Sequence, residues 1–220
     1  LDMNKLESGN IQLERKHFNL LEILHNTNEI TRMQANEAGV NYYVEDGEII
    51  HTQLTGSPVH FQQILMNIGS NAVKYNHDGG SVTVTCREVS YTDTTAEYEL
   101  TCTDTGIGMS EEFQKRAFEP FAQEGQSART KYAGTGLGLA IARKLTELQG
   151  GTLFFESIQG KGTKFILHIS FEISAEEQEK KSHTYQNCSV EGIQVLLVED
   201  NELNMEIAEF LLNEEKMKVT

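Results

Sequence analysis

The clearest period in the chain lies in residues 62–75, QQILMNIGSNAVKY. Ile64, Leu65, Ile68, Ala72 and Val73 recur at helical spacing and can turn towards a core, while Asn67, Asn71, Lys74 and Tyr75 stack along another side. Ser57-Pro58 opens this helix: Ser57 can accept a hydrogen bond from a free backbone N–H, and Pro58 suits the first helical position. Residues 77–80 end it. Upstream, residues 1–7 read as the last turns of a helix stopped by Ser8-Gly9-Asn10, and residues 18–34 carry an imperfect helical period. Residues 40–44 and 49–53 have strand character, with a Glu45-Asp46-Gly47 turn between them. Val82, Val84 and Cys86 share one face of a later run, and Tyr98, Leu100, Cys102 and Asp104 share a face of the next. These predict neighbouring antiparallel strands joined by the polar loop 90–95. A short helix over 110–116, capped by Ser110, precedes a polar stretch, 123–133, expected to be a mobile loop. A helix over 137–148 starts on a glycine run, and strands 152–155 and 163–171 flank the turn 159–162. In the second of these, Phe165, Leu167, Ile169 and Phe171 face one way. Residues 174–192 read as a linker, 195–198 as a short apolar strand, and Leu203, Ile207, Phe210 and Leu211 as the stripe of a last helix.

Composition narrows the classes. The 220 residues suffice for one full domain with something appended, and 38% hydrophobic residues can build a sizeable core. Eighteen Lys+Arg against 33 Asp+Glu give a formal net charge of −15, which argues against non-specific nucleic-acid or anionic-membrane binding. A local cationic pocket for a nucleotide is compatible with that balance. Cys86, Cys102 and Cys188 form no CxxC pair and suit a reducing compartment rather than a redox or metal protein. No apolar run approaches a membrane span and no signal peptide is present. The chain starts at Leu1 and breaks off within a helical pattern at Thr220, as expected of a piece of something longer.

Three stretches carry candidate chemistry. Two amides, an ammonium and an aromatic ring along one stripe suit a metal, phosphate oxygens and a flat base in a row, although a solvated helix face gives the same pattern. Asp104-Thr105-Gly106-Ile107-Gly108 ends a strand, where a buried carboxylate needs a partner such as the amino group of adenine; an ordinary Asp-Thr-Gly turn is the alternative. Gly134-Thr135-Gly136-Leu137-Gly138-Leu139 precedes a helix whose N-terminal N–H groups and dipole favour phosphate by roughly 0.3–1 kcal/mol per charge. No Gly-Lys-Ser/Thr follows it, so it is not a Walker A loop, and no strand leads into it as a Rossmann fingerprint requires. A flexible hinge or tight helix–strand packing would use the same glycines.

Taken in order, the Asn-rich helix, DTGIGM, FEPF, GTGLGLAI and GGTLFFESIQGKGTKF resemble the ATP-binding domain of sensor histidine kinases, within the family shared with gyrase, MutL and heat-shock chaperone ATPases. The resemblance covers residues 18–171 and implies an α/β two-layer fold: a mixed sheet with helices on one face, and the nucleotide between the helix layer and a lid. It implies that Asn71 is the magnesium ligand, that Asn67 supports the phosphate–metal cluster, that Lys74 neutralises phosphate and that Tyr75 packs on the adenine side. Asp104 would bind the adenine amino group, with Gly106, Ile107 and Gly108 shaping the pocket. Phe118 and Phe121 resemble the F box at the near end of the lid, which would be 123–133, with Arg129 and Lys131 as phosphate contacts. Gly134, Gly136 and Gly138 would hinge the lid and present N–H groups to phosphate, beside Thr135, Leu137 and Leu139. The implied cofactors are ATP and Mg2+.

Asn67 points to the reaction. ATPase and serine-kinase relatives place a glutamate base four residues before the metal-binding Asn, and an amide cannot take a proton at neutral pH. A neutral imidazole needs no such base, so the resemblance implies phosphotransfer to histidine. Hydrolysis by the same fold and a degenerate docking module are the rival readings.

The ends agree with a hybrid histidine kinase. Residues 1–15 resemble the end of a dimerisation and phosphotransfer helix, 16–172 the ATP-binding domain, 173–192 a linker and 193–220 the start of a response-regulator receiver. There Glu199 and Asp200 would be the acidic magnesium pair. None of the seven histidines has the context of a phosphoacceptor. The implied partners are a histidine-bearing dimerisation domain and a receiver, in a homodimeric parent; nucleic acid and direct membrane contact are not expected. The implied location is a cytoplasmic domain of a parent that can be anchored in the inner membrane. Residues 193–220 are expected to be disordered, or ordered only against the kinase domain or a neighbouring chain. Elsewhere, His60 is expected at the surface, His168 packed or solvated, Met66 and Met109 as packing, and Tyr42-Tyr43 as strand and core.

Overall fold

The alternation in residues 82–104 builds the centre of a mixed sheet. Strands β4 (Ser81–Tyr91) and β5 (Thr95–Asp104) pair antiparallel, with Val82 opposite Asp104, Val84 opposite Cys102 and Cys86 opposite Leu100. This is a computed structural model, describing residues 12–124 and 135–174, together with 194–195, 197, 212 and 218–219. It divides into one unit ending at Glu179 and a second beginning at Lys180.

Strand β7 (Gly162–Ile173) joins the other edge of β5. On its far side β7 pairs with β6 (Thr152–Ile158) and then, at its end, with β3 (Gln53–Gly56), which carries the edge strand β1 (Lys16–Asn19). Beyond β4, strand β2 (Asn41–Asp46) runs parallel, Tyr42 opposite Val82, and that one pair makes the sheet mixed.

The expected turn at Glu45-Asp46-Gly47 does not make a hairpin. β2 and β3 lie on opposite sides of the sheet, and the parallel β2–β4 pair is closed by a long crossover through the second helix, as parallel strands require. Residues 49–51 are not strand because their backbone donors go elsewhere. The buried Glu88 carboxylate accepts from Ile50 N–H at 2.8 Å and His51 N–H at 2.9 Å and meets His51 Nδ1 at 2.6 Å, while Tyr98 O–H donates to the His51 carbonyl at 2.6 Å.

The helices cover one face: α1 (Leu20–Glu37), α2 (Pro58–Lys74) between its neighbours, and α4 (Gly138–Leu148); α3 is the short Glu111–Gln114. The strand β1 precedes α1 where a helix is expected from 18, because Asn19 ends the strand and caps the helix, its Oδ1 accepting from Leu21 N–H at 2.8 Å. Under the helices lie Tyr98, Leu100, Phe165, Leu167, Ile169 and Phe171, all buried as the alternation predicts. Phe171 meets Phe18 and Phe61 edge-on at 5.2 and 5.1 Å.

Three local expectations fail. Ser57 caps no backbone N–H; its Oγ lies 2.7 Å from His60 Nδ1, and His60 is buried rather than at the surface. An imidazole under the first turn of α2 captures the hydroxyl that would otherwise turn to the helix backbone. Tyr43 points to solvent at 53% exposure, since only Tyr42 is in phase with the inner row of β2. In the second unit, β8 (Gln194–Val195) pairs parallel with β9 (Lys218–Val219). The expected order or disorder of 193–220 falls mostly outside the described residues, as do the helix end at 1–7 and the linker.

Candidate functional site

The polar stripe of α2 does not face solvent. Asn67, Asn71, Lys74 and Tyr75 line a cavity of about 250 Å3 that they share with Asp104, Ile107, Gly108, Thr135, Gly136, Gly138 and Leu139. Ala72, Val73, Ile64 and Ile68 on the other side of the helix are in the core, so amphipathicity turns the amides away from it, and the loop after β5 and the start of α4 enclose the space in front of them. Asn67 Nδ2 is buried without a partner among the described residues. Lys74 Nζ stands 4.9 Å from the Tyr75 ring centroid and gives the wall a cation.

Asp104, 7% exposed, sits on the inner row at the end of β5. Its Oδ1 accepts from Gly106 N–H at 2.8 Å and Thr163 N–H at 3.2 Å. Burial pushes its pKa up to about 6, against the pull of those two backbone donors. Gly106 is dictated by close approach: a β-carbon there would stand 2.2 Å from the Tyr75 carbonyl oxygen, which also accepts from Ile107 N–H at 3.0 Å. The loop after β5 is thereby locked to the C-terminus of the asparagine helix. Gly108 adopts φ +62°, a conformation suited to glycine.

At the opposite wall, no side chain caps α4, whose first-turn N–H groups have no intrahelical acceptor. A β-carbon at Gly138 would lie 3.4 Å from Asn67 Oδ1 and 3.7 Å from Asn71 Nδ2. The N-terminus of α4 thus faces the asparagine pair, a positive helix end and two amides converging on one space.

Other expected residues stand apart from the cavity. Phe118 packs on Phe155 at 5.3 Å, with the Arg143 guanidinium 4.9 Å from its ring centroid, and borders a surface groove instead. Phe121 is 61% exposed with φ +62°, and its backbone crowds Gly136. Leu137 packs against the core. Arg129, Lys131, Gly134, Glu199 and Asp200 lie outside the described residues. Sequence reasoning misses Thr163 and Phe165, which line the cavity from β7. Thr163 stands within the GKGTKF run, but a backbone donor leaves no mark on residue type.

A family profile described as histidine kinase-, DNA gyrase B-, and HSP90-like ATPase matches residues 56–173. The chain belongs to this family. Those residues span α2, both sides of the cavity and β7, and they belong to its ATP-binding catalytic domain. The chain is 32% identical over 213 residues to the autoinducer 2 sensor kinase/phosphatase LuxQ of Vibrio cholerae, covering 95% of this chain and 25% of that protein. It is 30% identical over 174 residues to the signal transduction histidine-protein kinase BarA of Escherichia coli K12, covering 79% and 19%. The chain therefore spans a quarter or less of these two relatives. Among solved structures, full-length ShkA in complex with AMPPNP matches with TM-score 0.63 at 22% identity, covering 98% of this chain and 42% of that one. The catalytic domain of the histidine kinase ThkA matches with TM-score 0.58 at 24% identity, covering 71% and 95%. At these identities the structures establish the fold, which is the expected mixed sheet with a helix layer. No helix among the described residues is long and apolar enough to cross a membrane.

Proposed function

We propose that this chain binds Mg-ATP in the cavity beside α2 and supplies its γ-phosphate to a histidine on a dimerisation domain, as part of a hybrid sensor kinase in two-component signalling. The observation that carries the reading is the convergence of Asn67, Asn71, Lys74, Tyr75 and Asp104 with the uncapped start of α4 on one space. The exocyclic amine of adenine would donate to Asp104, and Tyr75 would flank the base. Lys74 and the N–H groups of Gly138 and Leu139 would meet the phosphates. Magnesium fits this wall as a phosphate-borne ion. Among the described residues no three His, Cys, Asp or Glu side chains are grouped to cage a metal, so one amide oxygen, from Asn71, would join the phosphate oxygens around it. The ion, when bound, would neutralise charge on the leaving ADP oxygen.

Asn67 supports histidine as the acceptor. A neutral imidazole attacks phosphorus with its own lone pair, the P–N bond forming as the bond to ADP breaks, and no protein base is needed. Its buried donor would hold a γ-phosphate oxygen. The same reading takes 1–15 as the end of a dimerisation helix, 16–172 as the catalytic domain, 173–192 as a linker and 193–220 as the start of a receiver carrying Glu199 and Asp200. The parallel β8–β9 pair supports the last of these, since a parallel sheet is built from such crossovers. It also takes the domain as cytoplasmic, in a dimeric parent that can be anchored in the inner membrane.

The test is to mix the chain with a separately made dimerisation domain and Mg-ATP and look for acid-labile phosphohistidine. Phosphate release by the chain alone, without transfer, would instead make it a hydrolase. Equal Mg-ATP affinity of the unmodified chain and Asn71→Ala would sink the metal-ligand assignment.

A further inference from the structure

The face of α2 turned away from the asparagines borders a second cavity, of about 210 Å3, between α1, α2 and the sheet. Its inner wall is Ile68, Leu100 and Leu167, all buried, and its rim carries Leu21 and Val44, 48% and 42% exposed. Three of the polar side chains that line it, Thr27, Thr31 and Tyr42, are already spent on the backbone or on a neighbour. Thr27 Oγ1 donates to the Ile23 carbonyl at 2.7 Å, Thr31 Oγ1 to the Thr27 carbonyl at 2.9 Å, and Tyr42 O–H to Asn28 Oδ1 at 2.8 Å. The buried side-chain atoms without partners among the described residues, Asn67 Nδ2 and Gln149 Oε1, belong to residues outside its lining. The Cys86 and Cys102 thiols on its floor are only weak donors.

A water molecule in this space would find few of the two to four polar partners it needs, whereas hydrocarbon loses nothing by entering. A cavity of about 150 Å3 lined by Leu, Ile and Phe can hold benzene, so by volume this one has room for a bicyclic or medium-chain guest. Glu45 on the lining and a formal net charge of −15 disfavour an anionic guest, and no buried carboxylate waits inside for a cationic one. The two cavities share walls. Phe165 lines both, and α2 presents Ile68 and Gly69 to one and Asn67 and Asn71 to the other.

We infer that this second cavity is a binding site for a neutral, apolar small molecule, coupled to the nucleotide cavity through Phe165 and α2. The binding stands by itself; the coupling rests on the proposed nucleotide site.

Naphthalene is a suitable probe, titrated into the whole chain while the methyl resonances of Ile68, Leu100 and Leu167 are followed. Saturable shifts concentrated at these methyls are expected. Val84→Phe, which fills the cavity, and Val44→Trp, which blocks its rim, should each weaken naphthalene binding by about tenfold or more while the chain stays folded. Saturating naphthalene should change Mg-ATP affinity by at least about twofold, and Mg-ATP should change naphthalene affinity by the same factor. Absence of saturable shifts in the unmodified chain, or shifts undiminished in both folded variants, would overturn the site. Mg-ATP affinity unmoved by naphthalene would overturn the coupling. Asn71→Ala separates the two readings, since it should lose Mg-ATP and keep naphthalene; a chain that binds naphthalene but never Mg-ATP would sink the nucleotide reading and leave the apolar site standing.

Discussion

Gly138 faces Asn67 across the cavity beside α2, close enough that a β-carbon at 138 would rest 3.4 Å from Asn67 Oδ1. That is an ordinary contact, so the fold does not need glycine there; a phosphate in the proposed site would. Gly138→Ala should therefore fold with unchanged or slightly raised stability, alanine being the better helix former by about 1 kcal/mol. Mg-ATP affinity should fall by about tenfold, because the methyl takes room from a phosphate. Gly106→Ala makes the contrast, since its β-carbon would meet the Tyr75 backbone at 2.2 Å and something must shift. It should lower the melting temperature before any ligand is added. Thermal melts and calorimetric titrations of both variants distinguish the two kinds of glycine.

Asn67 predicts an opposite pairing of stability and binding. Its Nδ2 is buried without a partner among the described residues, an arrangement that costs roughly 1–3 kcal/mol. Asn67→Ala should leave the ligand-free protein as stable or more so. Mg-ATP at about 100 times Kd stabilises a protein by about 2.7 kcal/mol, and the variant should lose most of that increment at the same concentration. A variant less stable without ligand and equally stabilised by it would make Asn67 a structural residue.

The parts of this molecule legible in its sequence are those in which one periodicity governs a long run. The β4–β5 pair, β7 and α2 each carry enough turns or alternations to fix which face is inside; that assigns Asp104 to an inner position, whereas the asparagine stripe, which a solvated face would also show, needs the glycine runs downstream to be read as a site. β1 and β3 are four residues each, too short for an alternation to stand out, and both exist because β7 and one another offer edges. The parallel β2–β4 pair is a contact across the whole of α2, which no local turn residue announces. The glycine boxes reveal the chemistry of the site but not its borders: Phe118 and Phe121 belong to neighbouring surface, whereas Thr163 acts through a backbone N–H. His60 is hard to place from sequence because the partner that buries it, Ser57, looks like a helix cap.

On the proposed site, Asp104 should make nucleotide binding depend on pH. Its pKa of about 6 means that the carboxylate proposed to accept from an adenine amine is depleted in mild acid. If the ionised form is the competent one, apparent affinity should drop by about fourfold between pH 7.5 and 5.5. Stability without ligand should move the other way. A carboxyl whose folded pKa is raised contributes stability fully below its unfolded pKa and loses it as pH rises through about 6, so acidification relaxes the cost of a buried charge. Asp104→Asn keeps an oxygen for Gly106 and Thr163 and should flatten both profiles while weakening binding across the range. Calorimetric titrations and melts at the two pH values, on both proteins, decide it.

Glu88 provides the complementary case, a buried carboxylate that belongs to the fold alone. Burial would raise its pKa, but the His51 and Ile50 N–H groups and the His51 ring outweigh that and hold it below the ordinary value. A depressed carboxylate contributes stability that is present above its unfolded pKa and is lost as pH falls through the folded one. The His51–Glu88 clasp should therefore be intact at neutral pH and fail only in acid, below the range in which Asp104 titrates. Glu88→Ala removes the acceptor of two backbone donors and the partner of a ring nitrogen, and should cost about 3 kcal/mol. Glu88 faces Tyr98, six residues along β5 from Asp104, roughly 20 Å away at strand rise. Nucleotide affinity of the folded variant should thus equal that of the unmodified chain. A melt shifted down with an unchanged binding isotherm is the expected result; a weakened isotherm at a temperature where the variant is fully folded would show that the far end of the sheet reaches the site.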